Sequence, residues 1–119
     1  MIATQQNQYI TTPNFPQEYP NLKDCRWEIT AERKDLRVSL QFVSFDLEAS
    51  ATCNYDFVRI TGAEQPITLC GFKSNIPSIQ SEGEKLIVEF ESDYGLTRPG
   101  FNATFTSSKF LYFIDSSQH

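Results

Sequence analysis

Apolar and polar residues alternate with a period of two along most of this chain. No stretch sustains the period of about 3.6 that an amphipathic helix requires. Cys25, Trp27 and Ile29 fall on one face of a run, with Arg26, Glu28 and Thr30 on the other. Leu36, Val38, Leu40 and Phe42 repeat the pattern, as do Leu86, Val88 and Phe90, and then Phe101, Ala103 and Phe105. After Phe42 the phase slips, because Val43 and Phe45 are apolar in the opposite register, so a bulge or a strand end is expected there. The run from Tyr55 to Thr61 is apolar on both sides. Turn chemistry separates the runs. Pro13, Pro16 and Pro20 each fix φ, while Gly62 and Gly83 sit in clusters of small and acidic residues. Many short alternating strands with turns between them predict an all-β fold, an antiparallel two-sheet β-sandwich.

At 119 residues the chain has the size of one domain. Ten phenylalanines supply a core, since a buried aromatic removes on the order of 150–250 Å² from water. Ten basic against fifteen acidic side chains give a net charge of −5, with no basic cluster of the kind that binds nucleic acid. No apolar run approaches the roughly 18 residues of a membrane span. The lone histidine is the last residue, His119, so a triad or a zinc site has no internal imidazole to use. The opening residues lack the basic and apolar segments of a signal peptide, and Met1 reads as an added start or the edge of an excised domain.

Three cysteines leave one over. Cys53 and Cys70 flank the Tyr55–Thr61 run, and closing that loop would add about 3 kcal/mol by the chain-entropy argument. Cys25 is then either a free thiol beside Trp27 or half of a bridge whose partner precedes residue 1. A disulfide indicates an oxidising compartment. Asn102-Ala103-Thr104 is an N-glycosylation sequon suited to the same compartment.

Glu48, Asp56 and Asp93 each stand at the end of a run, beside a loop. They are either three unrelated solvated acids or a cluster gathered at one end of the sandwich. A cluster would repel itself, and a hard cation such as Ca²⁺ would relieve that repulsion.

Taken in order, several fragments resemble the CUB domain family. They are Thr12-Pro13-Asn14-Phe15-Pro16, Tyr19-Pro20, Cys25-Arg26-Trp27-Glu28-Ile29, Phe45-Asp46-Leu47-Glu48, Cys53-Asn54-Tyr55-Asp56, Cys70-Gly71, Ser92-Asp93 and Gly100-Phe101. The match spans residues 9–106, with 1–8 as an N-terminal extension and 107–119 as a tail. The resemblance implies a jelly-roll-like β-sandwich and a non-catalytic extracellular module, secreted or part of an ectodomain. It can be an accessory domain of a larger protease. In the calcium-binding subset, acids at the positions of Glu48, Asp56 and Asp93 hold one Ca²⁺. A tyrosine at the position of Tyr19 supports them, and a carbonyl from the loop that begins at Tyr94 completes the set. Tyr19 and Tyr94 are expected to reach the partner, a protein ligand with an exposed Lys or Arg. The family's first cysteine is missing, which favours truncation as the origin of an unpaired Cys25.

The apolar segment Phe110-Leu111-Tyr112-Phe113-Ile114 is read as an added edge strand or as a docking segment, with a homo-oligomer as one use. Two other functions compete with calcium-dependent recognition. One is a metal-free structural or oligomerising module, and the other a carbohydrate-binding module like the spermadhesins. An enzyme using two of the acids as an acid/base pair finds nothing else in the sequence to build a cleft.

Overall fold

A computed structural model describes residues 1–109; the Phe110–Ile114 segment lies outside the described residues. Among the described residues, ten strands form two sheets. The first sheet runs β1 (Ile2–Ala3), β3 (Asp24–Ala31), β9 (Lys85–Glu91), β5 (Phe57–Thr61) and β6 (Ile67–Leu69). Its strands pair antiparallel, except that β1 lies parallel to β3. The second sheet runs β2 (Gln8–Thr11), β10 (Gly100–Lys109), β4 (Leu36–Asp46) and β7 (Phe72–Lys73), and β8 (Ile79–Gln80) also pairs with β4. No helix occurs among the described residues, and the expected β-sandwich is the fold.

The alternating faces meet in one core. Ile29, Val58, Ile60, Leu86, Val88 and Phe90 come from the first sheet, and Val38, Leu40, Phe42, Phe45, Phe101 and Phe105 from the second. Each fully buried aliphatic or aromatic side chain contributes on the order of 1.5–3 kcal/mol relative to exposure. Phe101 is the hub, with its ring edge-on to Trp27 at 5.6 Å and to Phe42 at 5.4 Å. Trp27 therefore spends its ring on the core rather than on a ligand.

The phase slip after Phe42 is a bulge. Asn102 opposes Ser44 and Ala103 opposes Phe42, which leaves Val43 as the extra residue. Val43 and Ser44 are consequently both exposed. Tyr55 lies outside β5 and is exposed, so the third run is shorter than its apolar content suggested.

The pairing also extends beyond residues 9–106. Ala3 is buried in β1, β2 begins at Gln8, and β10 continues to Lys109 opposite Leu36. Residues 1–8 looked like an extension because their pattern is polar, and a two-residue strand shows no period.

Candidate functional site

The topology gathers three strand ends at one end of the sandwich. β5 and β9 are antiparallel neighbours with Phe57 opposite Glu91, so Asp56 just before β5 lies beside Ser92 and Asp93 just after β9. β4 ends at Asp46, and the chain continues through buried Leu47, whose N–H donates to the Gly71 carbonyl at 3.0 Å. Glu48 follows. One carboxylate oxygen from each of Glu48, Asp56 and Asp93 lies within 4.8 Å of the others.

Asp56 anchors the cluster and is fully buried. Its Oδ2 accepts from the Tyr19 hydroxyl at 2.6 Å, and its Oδ1 accepts from the Asp93 N–H at 2.8 Å. The Tyr19 oxygen in turn accepts from the Glu48 N–H at 3.1 Å. Tyr19 is itself buried, edge-on to Phe90 at 5.0 Å, and its N–H donates to the Arg98 carbonyl at 3.1 Å. Tyr19 and Asp56 together thus tie three connections, 12–23, 47–56 and 92–99, to one point.

Ser92 adds a second tie between two of these connections, 12–23 and 92–99. Its hydroxyl donates to the Pro20 carbonyl at 2.8 Å and accepts from the Lys23 N–H at 2.9 Å. Leu22 N–H donates to the Asp93 carbonyl at 3.2 Å. Gly95 passes close over the acids, and a Cβ there would sit 3.5 Å from Asp93 Oδ1 and 3.8 Å from Glu48 Oε2.

The electrostatics are unfavourable without a cation. Burial pushes the Asp56 carboxyl above its ordinary range, although the bonds from Tyr19 and the Asp93 N–H oppose the shift. Burial, then the charges of Asp56 and Asp93, push Glu48 up as well. Tyr19 is held protonated by burial and by its bond to Asp56. Glu48 Oε1 and Asp93 Oδ1 are buried and find no hydrogen-bond donor. Buried acceptors normally find one. An all-oxygen donor set of like charge suits a hard divalent cation.

The remaining residues singled out in the sequence are dispersed. Tyr94 projects outward and is 83% exposed. Cys53 and Cys70 form a disulfide, which closes the chain just ahead of Asp56. Cys25 is a partly buried free thiol on β3, raised in pKa chiefly by that burial. Asn102 is partly exposed on β10, away from the acids' hydrogen bonds. In the sequence Ser92 stood out only as part of the Ser92-Asp93 fragment, and Gly95 and Arg98 only as members of the loop from Tyr94 expected to supply a carbonyl; none was given the role its contacts show. Arg98 is a cation whose charge draws Glu48 slightly back down.

Known proteins share this architecture. The family model described as CUB domain matches residues 1–105. Tolloid-like protein 2 of Mus musculus is 39% identical over 114 residues, covering 91% of this chain and 11% of the relative. Cubilin of Canis lupus familiaris is 39% identical over 105 residues, covering 84% of this chain and 3% of the relative. The chain thus spans a small fraction of the length of these relatives. The crystal structure of the MASP-1 CUB2 domain bound to Ca²⁺ superimposes with a TM-score of 0.74 at 28% identity, covering 88% of this chain and 96% of that one. With this sandwich and a family match across nearly all of the described residues, the chain belongs to the CUB domain family, a family of non-catalytic modules.

Proposed function

We propose that this chain is an extracellular binding module whose acidic end, ordered by one Ca²⁺, captures a Lys or Arg side chain of a partner protein. The observation that carries the reading is the pair of buried carboxylate oxygens without donors, Glu48 Oε1 and Asp93 Oδ1, beside a fully buried Asp56. Glu48, Asp56 and Asp93 would hold the ion. Asp56 already accepts two hydrogen bonds, but a carboxylate has about four lone-pair sites, so it keeps capacity for a metal. The likeness to a CUB domain solved with Ca²⁺ supports the choice of ion.

The chain's own residues then do the recognition. Tyr19 and Ser92 hold the loops in place before any partner arrives, which lowers the ordering entropy of binding. Three carboxylates and one divalent ion leave a local charge near −1, and outward-facing carboxylate oxygens can accept from an ammonium or guanidinium group. Gly95 offers no side chain to block that approach.

Calorimetric titration with CaCl₂, on the wild type and on Asp93→Ala, tests the metal. Heat is expected from the wild type only, and equal heats would overturn the site. NMR titration with N-acetyl-lysine amide tests the capture. Shifts are expected at residues 48 and 93–98 in calcium and not in chelator. Equal shifts in both would overturn calcium dependence.

A further inference from the structure

We propose that Asn102 carries an N-linked glycan and that this glycan covers the outer face of the second sheet. The two sheets differ sharply on their outer faces. The first is laced with charge, with Glu28 paired to Arg26 at 3.3 Å and to Lys85 at 2.9 Å. On the long strands of the second, ionisable residues stand only near the ends, at Arg37, Asp46 and Lys109. Between them, apart from exposed Val43 and Tyr9, the outward positions are hydroxyls and amides, among them Thr11, Ser39, Gln41 and Thr104.

Asn102 lies within this neutral face. Ala103 is fully buried, so its neighbours Asn102 and Thr104 point away from the core, and the two functional residues of the sequon share the outward side. Asn102 stands between Thr11 on β2 and Ser44 on β4. Two exposed apolar side chains flank it: Tyr9, which opposes Thr104, and Val43, the bulged residue, each 62% exposed. Beside them is a shallow depression of about 400 Å³, with Gln41, Val43, Asn75 and Thr104 among its lining residues. A pyranose has hydroxyls for Gln41, Asn75 and Thr104 and a C–H face for Tyr9 or Val43. The Cys53–Cys70 disulfide belongs to the same oxidising compartment in which such glycans are attached.

In the transfer, the Asn102 carboxamide nitrogen bonds to the anomeric carbon of a lipid-pyrophosphate-linked oligosaccharide. The lipid pyrophosphate leaves with the electron pair of the broken C–O bond, and a base takes the amide proton. The attachment does not depend on calcium, and it removes the second sheet's outer face from the surfaces open to a protein partner.

The test is the full chain secreted from eukaryotic cells and measured by intact mass before and after peptide N-glycosidase. The wild type should lose the whole glycan mass and read Asp at position 102 afterwards. Thr104→Ser should retain the glycan, while Asn102→Gln and Thr104→Ala should lack it. A secreted wild type at its unmodified mass would overturn the attachment. Covering is read separately by hydroxyl-radical footprinting. Tyr9 should oxidise several-fold more slowly in the glycosylated chain than in the enzymatically deglycosylated one, and equal rates would overturn it.

Discussion

The Tyr19 hydroxyl donates to Asp56 Oδ2 at 2.6 Å while its oxygen accepts from the Glu48 N–H at 3.1 Å. Tyr19 and Asp56 are both buried, so Asp56 has no water as a ready substitute for the bridge. Tyr19→Phe preserves the ring's packing on Phe90 and removes only the bridge. Leaving buried partners unsatisfied costs about 1–3 kcal/mol, so the variant should lose that much stability in chelator. Urea denaturation reads the loss. A change within about 0.5 kcal/mol, the range of ordinary surface substitutions, would contradict the bridging role.

Calcium should stabilise the folded chain by mass action. At a free concentration a hundredfold above Kd the gain is about 2.7 kcal/mol. Thermal melts in CaCl₂ and in chelator should differ for the wild type and coincide for Asp93→Ala. A shift of the same size in that variant would place the ion elsewhere.

Acid should act in opposite directions on the two forms. Burial raises Glu48 and Asp56 above ordinary carboxylates in the folded chain, so the folded state binds their protons more tightly than the unfolded chain does. That contribution is fully present below the ordinary carboxyl range and is lost as pH rises through the raised values. Chelated protein should therefore gain stability from these two groups as pH falls through their raised values toward the ordinary carboxyl range. Calcium-loaded protein should lose its calcium-dependent margin over the same window, because protons compete for the ligand oxygens. Melting curves across that range, with Glu48→Gln flattening the chelated profile, check both signs.

Gly100 sits at φ 90°, and a Cβ there would collide with the Thr12 side chain. Thr12 is the clip on that strand: its Oγ1 accepts from the Phe101 N–H at 3.1 Å, and its N–H donates to the Phe101 carbonyl at 3.1 Å. Gly100→Ala should destabilise by more than about 1 kcal/mol, since the strained φ and the displaced Thr12 act together. A neutral result in urea would mean that the strand start relaxes freely.

The long strands were legible because each puts four or more residues of alternating pattern on display, as Leu36–Asp46 and Lys85–Glu91 do. β7 and β8 have two residues each, too few for a period, and are strands only because β4 offers its edge. The acids were legible as strand ends. Spacing left their meeting open and only the family resemblance implied it, because it depends on β5 running antiparallel beside β9 while β4 ends at the same pole in the other sheet. The burial of Tyr19 was hidden too. A tyrosine three residues after one proline and next to another reads as surface coil, and it is drawn in by long-range contacts, the Asp56 bond across 37 residues and the packing on Phe90.

The acidic end carries an apolar rim. Leu22, Tyr94 and Leu96 are 67%, 83% and 60% exposed, and each lies on a loop fastened to Asp93. Tyr55, next to Asp56, is 48% exposed. Such side chains gain nothing in water but add apolar contact once a basic residue enters between them. Partners should therefore present a Lys or Arg with apolar neighbours. Peptides with a central Lys and Leu flanks should perturb the NMR signals of residues 93–98 at lower concentration than peptides with Lys and Ser flanks. Leu flanks around a central Ala should do neither. Tyr94→Ser and Leu96→Ser should leave urea stability within about 0.5 kcal/mol, as surface changes do, and erase the advantage of the Leu flanks. Equal titrations for the two Lys peptides would remove the rim from recognition while leaving the charge capture intact. Equal titrations for the Lys and Ala peptides with Leu flanks would remove the charge capture instead.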